Sequence, residues 1–179
     1  MSLGDDAGRR RAFLRATAHP VRLQILSLLS SAALTAADVA RELGLTHANA
    51  SYHLRNLLSA GVVVQEGEER IRGGVAKRYR YDSSRDRGYF NGAGADPDTH
   101  RAMYAVVADE LIRRTAQADW STGGTMTDAE LWVDPEVFLD IRERITQLSR
   151  ELHAAAQPPR TPGTVRTSTT VAMFRMTDA

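Results

Sequence analysis

Residues 45–63 read LTHANASYHLRNLLSAGVV. Ala50, Leu54, Leu57 and Leu58 recur at the three- and four-residue spacing that lines one face of a helix. The opposite face carries Ala48, Asn49, Tyr52, Arg55, Asn56 and Ser59, a row of groups able to hydrogen-bond outward. Thr46, His47 and Ser51 flank the N-terminal end, and Thr46 is placed to cap it. Gly61 stops the helix, and a valine run follows at once.

Upstream, AADVARELG (36–44) predicts a helix that buries Ala36, Val39, Ala40 and Leu43 and ends at Gly44. Thr35 caps it, with Asp38 three residues on. Two helices joined at Glu42-Leu43-Gly44-Leu45-Thr46 make a helix-turn-helix signature. Before it, GRRRAFLRATA (8–18) predicts a short helix with a basic face, broken at His19-Pro20. PVRLQILSLLS (20–30) predicts another, with Val21, Ile25, Leu28 and Leu29 inward.

After Gly61 the period changes. VVVQEGEERIRGGVAKRYRYD predicts two strands turning at Gly73-Gly74. In the second strand Lys77, Tyr79 and Tyr81 alternate with Arg78 and Arg80. Such a hairpin is a wing, with Arg70, Arg72, Lys77, Arg78 and Arg80 for a phosphate backbone, diluted by Glu66, Glu68 and Glu69. Arg9, Arg10, Arg11 and Arg15 form a second basic cluster.

The charge distribution agrees. Residues 1–90 hold 14 Lys+Arg against 9 Asp+Glu, a balance of +5, and residues 91–179 hold 9 against 13, a balance of −4. One half is suited to face a polyanion. The outward helix residues suit a major groove. Arg55 can pair with guanine or hold a phosphate, Asn49 can pair with adenine, Ala48 can meet a thymine methyl, and Ser51 can bond either. The amides near Thr46 suit a phosphate. The expected reading surface is Thr46, His47, Ala48, Asn49, Ser51, Tyr52 and Arg55, with Arg72, Lys77 and Arg78 on the wing.

The segments ATAHPVRLQILSLL, LTAADVARELGLTHANASYHLRNLLSAGVV and KRYRYD together resemble the ArsR-type winged helix-turn-helix repressors. The similarity is to the subgroup with HPxRLxIL early and SYHLRxL in the reading helix, and it covers residues 8–82. The resemblance implies a homodimer that binds an imperfect palindrome in double-stranded DNA and releases it when an effector binds. It also implies that residues from His47 to Arg55 touch the DNA. Two departures bear on metals. AADVARELG lacks the cysteine pair of the metal-sensing members, and the chain has no cysteine at all. Asp98-Thr99-His100 starts another family metal site, but Leu111 and Arg114 stand where further ligands belong. No metal and no cofactor are expected. Among the histidines, His19 reads as part of a helix cap, His53 as a part-buried hydrogen-bonded residue, and His100 and His153 as surface residues.

The polar stretch SSRDRGYFNGAGADPD (83–98) marks the end of this first unit. Beyond it, residues 98–118 predict a helix with Tyr104, Val107, Ala108, Leu111 and Ile112 on one face. Residues 126–133 predict a strand, and Asp134-Pro135 opens a helix with Phe138, Ile141, Ile145, Leu148 and Leu152 spaced by three and four; two heptads are too few to define a coiled coil, and the pattern suits packing onto a sheet equally well. PPRTPG is a stiff linker. VRTSTTVAMFRM predicts a strand pairing with 126–133. The expected fold is therefore mainly α with small β: a winged helix-turn-helix domain over 8–82, then a small α/β extension over 98–176 for dimerisation, effector binding or both. Trp120, Trp132, Phe138, Met173 and Phe174 either form that unit's core or line a pocket for a small-molecule effector.

The chain holds 179 residues and no apolar run long enough for a membrane span. No secretory signal is read at its start, so a cytoplasmic protein is expected. No catalytic constellation shows motif-level spacing, and Gly73-Gly74 and Gly123-Gly124 lack the strand–helix setting of a nucleotide loop. The rival to DNA reading is a winged helix used as a protein-interaction module.

Overall fold

His19 and Pro20 separate the first two helices, α1 (Leu3–Thr17) and α2 (Pro20–Leu29). The His19 ring accepts a hydrogen bond from the Val21 amide at 3.2 Å, which makes it the cap of α2 as expected. A two-residue strand, β1 (Leu34–Thr35), leads into α3 (Ala36–Leu43) and α4 (His47–Ser59). Two long strands follow, β2 (Val63–Ile71) and β3 (Gly74–Tyr81), then α5 (Pro97–Thr115) and α6 (Pro135–Ala154). The computed structural model describes residues 3–71, 73–81 and 97–177, with the side chains of the first helix from Arg11 onward.

The α3–α4 turn is built as its residues dictate. Thr35 and Asp38 form a reciprocal capping box at the start of α3. Gly44 ends it at φ 65°, ψ 30°, the left-handed conformation that costs a glycine least. Thr46 then accepts from the Asn49 amide at 3.2 Å and starts α4. One core lies behind these helices. Phe13, Leu14, Ile25, Leu29, Val39, Ala50, Leu54, Leu57, Val63 and Tyr79 are all buried in it.

The sheet has the order β1-β3-β2, all antiparallel. This is the three-stranded sheet of a winged helix, and with α2, α3 and α4 it completes a winged helix-turn-helix fold. Register slips between Gln65 and Gly67, which makes Glu66 an extra, bulged residue. Gly73 turns the hairpin at φ 93°. The expected alternation of burial holds over Tyr79, Arg80 and Tyr81 but not before them, where Lys77 is exposed and Arg78 half-buried.

Helix α5 returns to this core, but not by the face its apolar pattern suggests. Met103 and Glu110 are the buried residues, with Val107 packed between them, whereas Tyr104, Leu111 and Ile112 are exposed. Thr17 lies within 3.6 Å of the Met103 sulfur. Glu110 accepts from Gln24 of α2 at 3.1 Å and is clamped by Arg113 and Arg114 at 2.6 and 3.0 Å. A buried carboxylate with three such partners outcompetes the more apolar stripe, because its anchor lies on α2.

The C-terminal half departs from the expected α/β unit. Among the described residues, neither 126–133 nor 165–176 forms a strand, and the only elements after α5 are a single 3-10 turn at Trp120–Thr122 and α6. β-Branched residues favour extended backbone, but a strand exists only where another edge pairs with it. Trp120, Trp132 and Phe174 are exposed, and the Phe174 ring lies 5.7 Å from that of Tyr104 on α5, so among the described residues the five do not gather into one core. Phe138 and Met173 are half-buried. No helix among the described residues is long and apolar enough to cross a membrane.

Candidate nucleic-acid interface

Helix α4 is fixed from behind and open in front. Ala50, His53, Leu54 and Leu57 are buried. Thr46, His47, Ala48, Asn49, Tyr52, Arg55 and Ser59 are exposed, and Ser51 and Asn56 are half-exposed. The structure therefore brings the seven sequence-predicted helix residues onto one accessible surface at the N-terminal half of α4. The Thr46 hydroxyl is used as an acceptor by its own helix, which leaves its proton free to donate. Arg55 makes no ion pair or hydrogen bond with the described residues.

The wing is more internally paired than its composition suggests. Arg78 donates to the Ala33 carbonyl at 2.6 Å and to Glu69 at 3.0 Å. Arg80 lies 3.5 Å from Glu66. Lys77 is exposed and in register with Glu68, and Arg70 is exposed near the hairpin tip. Arg72 lies outside the described residues, as do the side chains of Arg9 and Arg10. The least encumbered wing cations are thus Lys77 and Arg70, and Arg78 is engaged first in holding β3 to the chain before β1.

Sequence reasoning missed how α4 is held in place. The His53 ring meets that of His19 at a tilt, 4.8 Å between centroids, and that of Tyr52 edge-on, at 5.3 Å. Its Nδ1 is buried with no hydrogen-bond partner among the described residues, contrary to the expected hydrogen-bonded state. Desolvation, then the neighbouring His19 and Arg22, lowers the His53 pKa. Desolvation, then Arg22, lowers that of His19. Two neutral imidazoles thus join α4 to the start of α2. The signal in sequence was the pair of motifs HPxR and SYHL, whose histidines meet only in the fold.

The pairing of a rigid inner face with an open polar outer face fits the comparison of this chain with known domains. Residues 17–66 match a helix-turn-helix domain family. That span runs from the end of α1 into β2 and includes α4 whole. Two similar solved structures come from Mycobacterium bovis. One is a solution structure of the homodimeric winged helix-turn-helix DNA-binding domain (fragment 1–100) of a possible ArsR-family transcriptional regulator. It is 27% identical, with 64% of this chain and 93% of that chain covered, at a TM-score of 0.38. The other is a crystal structure of a possible transcriptional regulatory protein (fragment 1–100). It is 25% identical, with 65% and 98% covered, at a TM-score of 0.35. The curated proteins give no significant match.

Proposed function

We propose that the protein is a sequence-specific DNA-binding transcriptional regulator: a homodimeric, cytoplasmic repressor of the ArsR type that reads an imperfect palindrome and is released by a small effector. The observation that carries this reading is the open outer face of α4, with Asn49, Ser51, Tyr52 and Arg55 on a helix whose other face is buried. Such a helix enters a major groove by its N-terminal residues. The helix-turn-helix family match over the same residues supports it. The basic balance of the first half supports it too. On this reading Arg55 and Asn49 contact base edges, Thr46, His47 and Ser51 fix the backbone, and Lys77 with Arg70 lies along the adjacent phosphates.

Fluorescence anisotropy over a salt series tests this, using the protein's own upstream DNA and a scrambled duplex of the same length. Tight binding to the first alone, with a steep dependence of log K on log salt, is the expected result. No binding to either duplex at low salt overturns it and favours a winged helix that docks on protein.

A further inference from the structure

Helix α6 carries a heptad seam that no described element of its own chain buries. Phe138, Ile141, Ile145, Leu148 and Leu152 follow one another by three and four, yet no residue of the helix is buried, and Leu148 is 63% exposed. The segments on either side repeat the pattern. Met126 and Trp132 before α6, and Val171 and Phe174 after it, are exposed. Among the described residues no backbone hydrogen bond ties 124–133 or 165–177 to any other element. Of the twenty large apolar side chains that are exposed among the described residues, seventeen lie between Tyr104 and Met176.

The geometry points to a second copy of this chain as the occupant, with α6 of one copy packed antiparallel on α6 of the other. This rests on the homodimer of the proposed function and names its surface. Area favours it. The five seam side chains and the four flanking ones, at on the order of 80 Å² each, together approach the ~800 Å² per partner of a stable interface. Charge favours it as well. Antiparallel packing of this seam sets Ile145 opposite Leu148 and Ile141 opposite Leu152 of the other copy. The same register brings Arg144 of each copy beside Glu151 of the other, twice by symmetry. A parallel register would set Arg144 against Ser149 and Arg142 against Val137, with no opposite charges. The present partners of Arg144 and Glu151 are exposed and exchangeable: Asp140 at 3.6 Å and Gln147 at 3.1 Å. The extended segments then lie beside the helix pair, where their unpaired backbone meets its counterpart.

The chain has no cysteine, so introduced thiols report alone. Residues 141 and 152 are eleven positions apart, about 16 Å along one helix, beyond the reach of a disulfide within one copy. The full-length Ile141→Cys/Leu152→Cys variant, oxidised at micromolar concentration without DNA, is expected to form a covalent dimer, and each single variant is not. Adding Arg144→Glu to the double variant slows cross-linking on the order of tenfold by like-charge repulsion, and adding Glu151→Arg as well restores it. No covalent dimer from the double variant overturns the proposal. So does a covalent dimer from Ile141→Cys alone, which means parallel packing, and so does Arg144→Glu without effect. Far-UV circular dichroism confirms that each variant is folded. Because DNA is absent, failure here is separable from failure of DNA reading, which the anisotropy assay reports.

Discussion

At the residue scale, single side chains divide between reading and holding. Arg55 is open, and its replacement by alanine is expected to weaken specific DNA binding by about 1–3 kcal/mol with little change in melting temperature. A loss of equal size on every duplex sequence assigns Arg55 to a phosphate instead. Arg78 behaves differently because it already bonds the Ala33 carbonyl. Arg78→Ala should lower thermal stability by about 1–2 kcal/mol before it alters the salt slope. Glu110 is the most consequential holding residue. Burial raises its pKa, but hydrogen bonds from Arg113, Arg114 and Gln24 outweigh this and bring it down to about 2. A shift of that size corresponds to on the order of 3 kcal/mol of stability. Glu110→Ala should therefore unfold the protein at a clearly lower denaturant midpoint. Arg55 was legible in sequence because helical periodicity alone turns it outward. Glu110 was not, because its burial depends on Gln24, 86 residues away.

At the element scale, the turn between α3 and α4 sets the angle at which the reading helix is presented. Gly44 has open space around its Cα, so the cost of a side chain there is conformational alone. Gly44→Ala should cost about 1–2 kcal/mol by thermal unfolding while leaving the rest of the core in place. If it costs nothing, the left-handed turn is not a constraint on the fold. Helix boundaries from α2 to α4 and the hairpin were readable because caps, glycines and periodicity all agreed. The strands expected at 126–133 and 165–176 failed for a different reason. Composition reports a tolerance for extended backbone, whereas a strand needs a neighbour that no local pattern names. The two-residue β1 shows the converse, since a strand this short has no pattern of its own and forms only because β3 arrives beside it.

At the scale of the molecule, protonation couples the reading helix to acidity. His19 and His53 both have folded pKa values below their ordinary 6.5, so the unfolded chain binds these protons more readily. Their contribution to stability is complete above about 6.5 and declines as pH falls below it. Glu110 adds a second decline as pH falls from its ordinary 4.5 toward 2. Urea midpoints taken between pH 8 and 3 should show both steps, and a His53→Gln variant should lose much of the upper one. A flat profile between pH 7 and 5 would show that the imidazole pair is not neutral in the fold.

The order β1-β3-β2 has a consequence in time. β1 precedes the helix-turn-helix and β3 follows it, so their pairing, with the Arg78–Ala33 bond spanning 45 residues, closes a loop around the reading helix. Closing an unfolded loop of that length costs about 3 kcal/mol beyond a constant, and much less once α3, α4 and β2 have drawn its ends together. Closure is therefore the late step of folding and the first to reopen. Amide protons of β1 should exchange with solvent faster than those of α4, so that the chain unlatches at its hem while the part that reads stays whole.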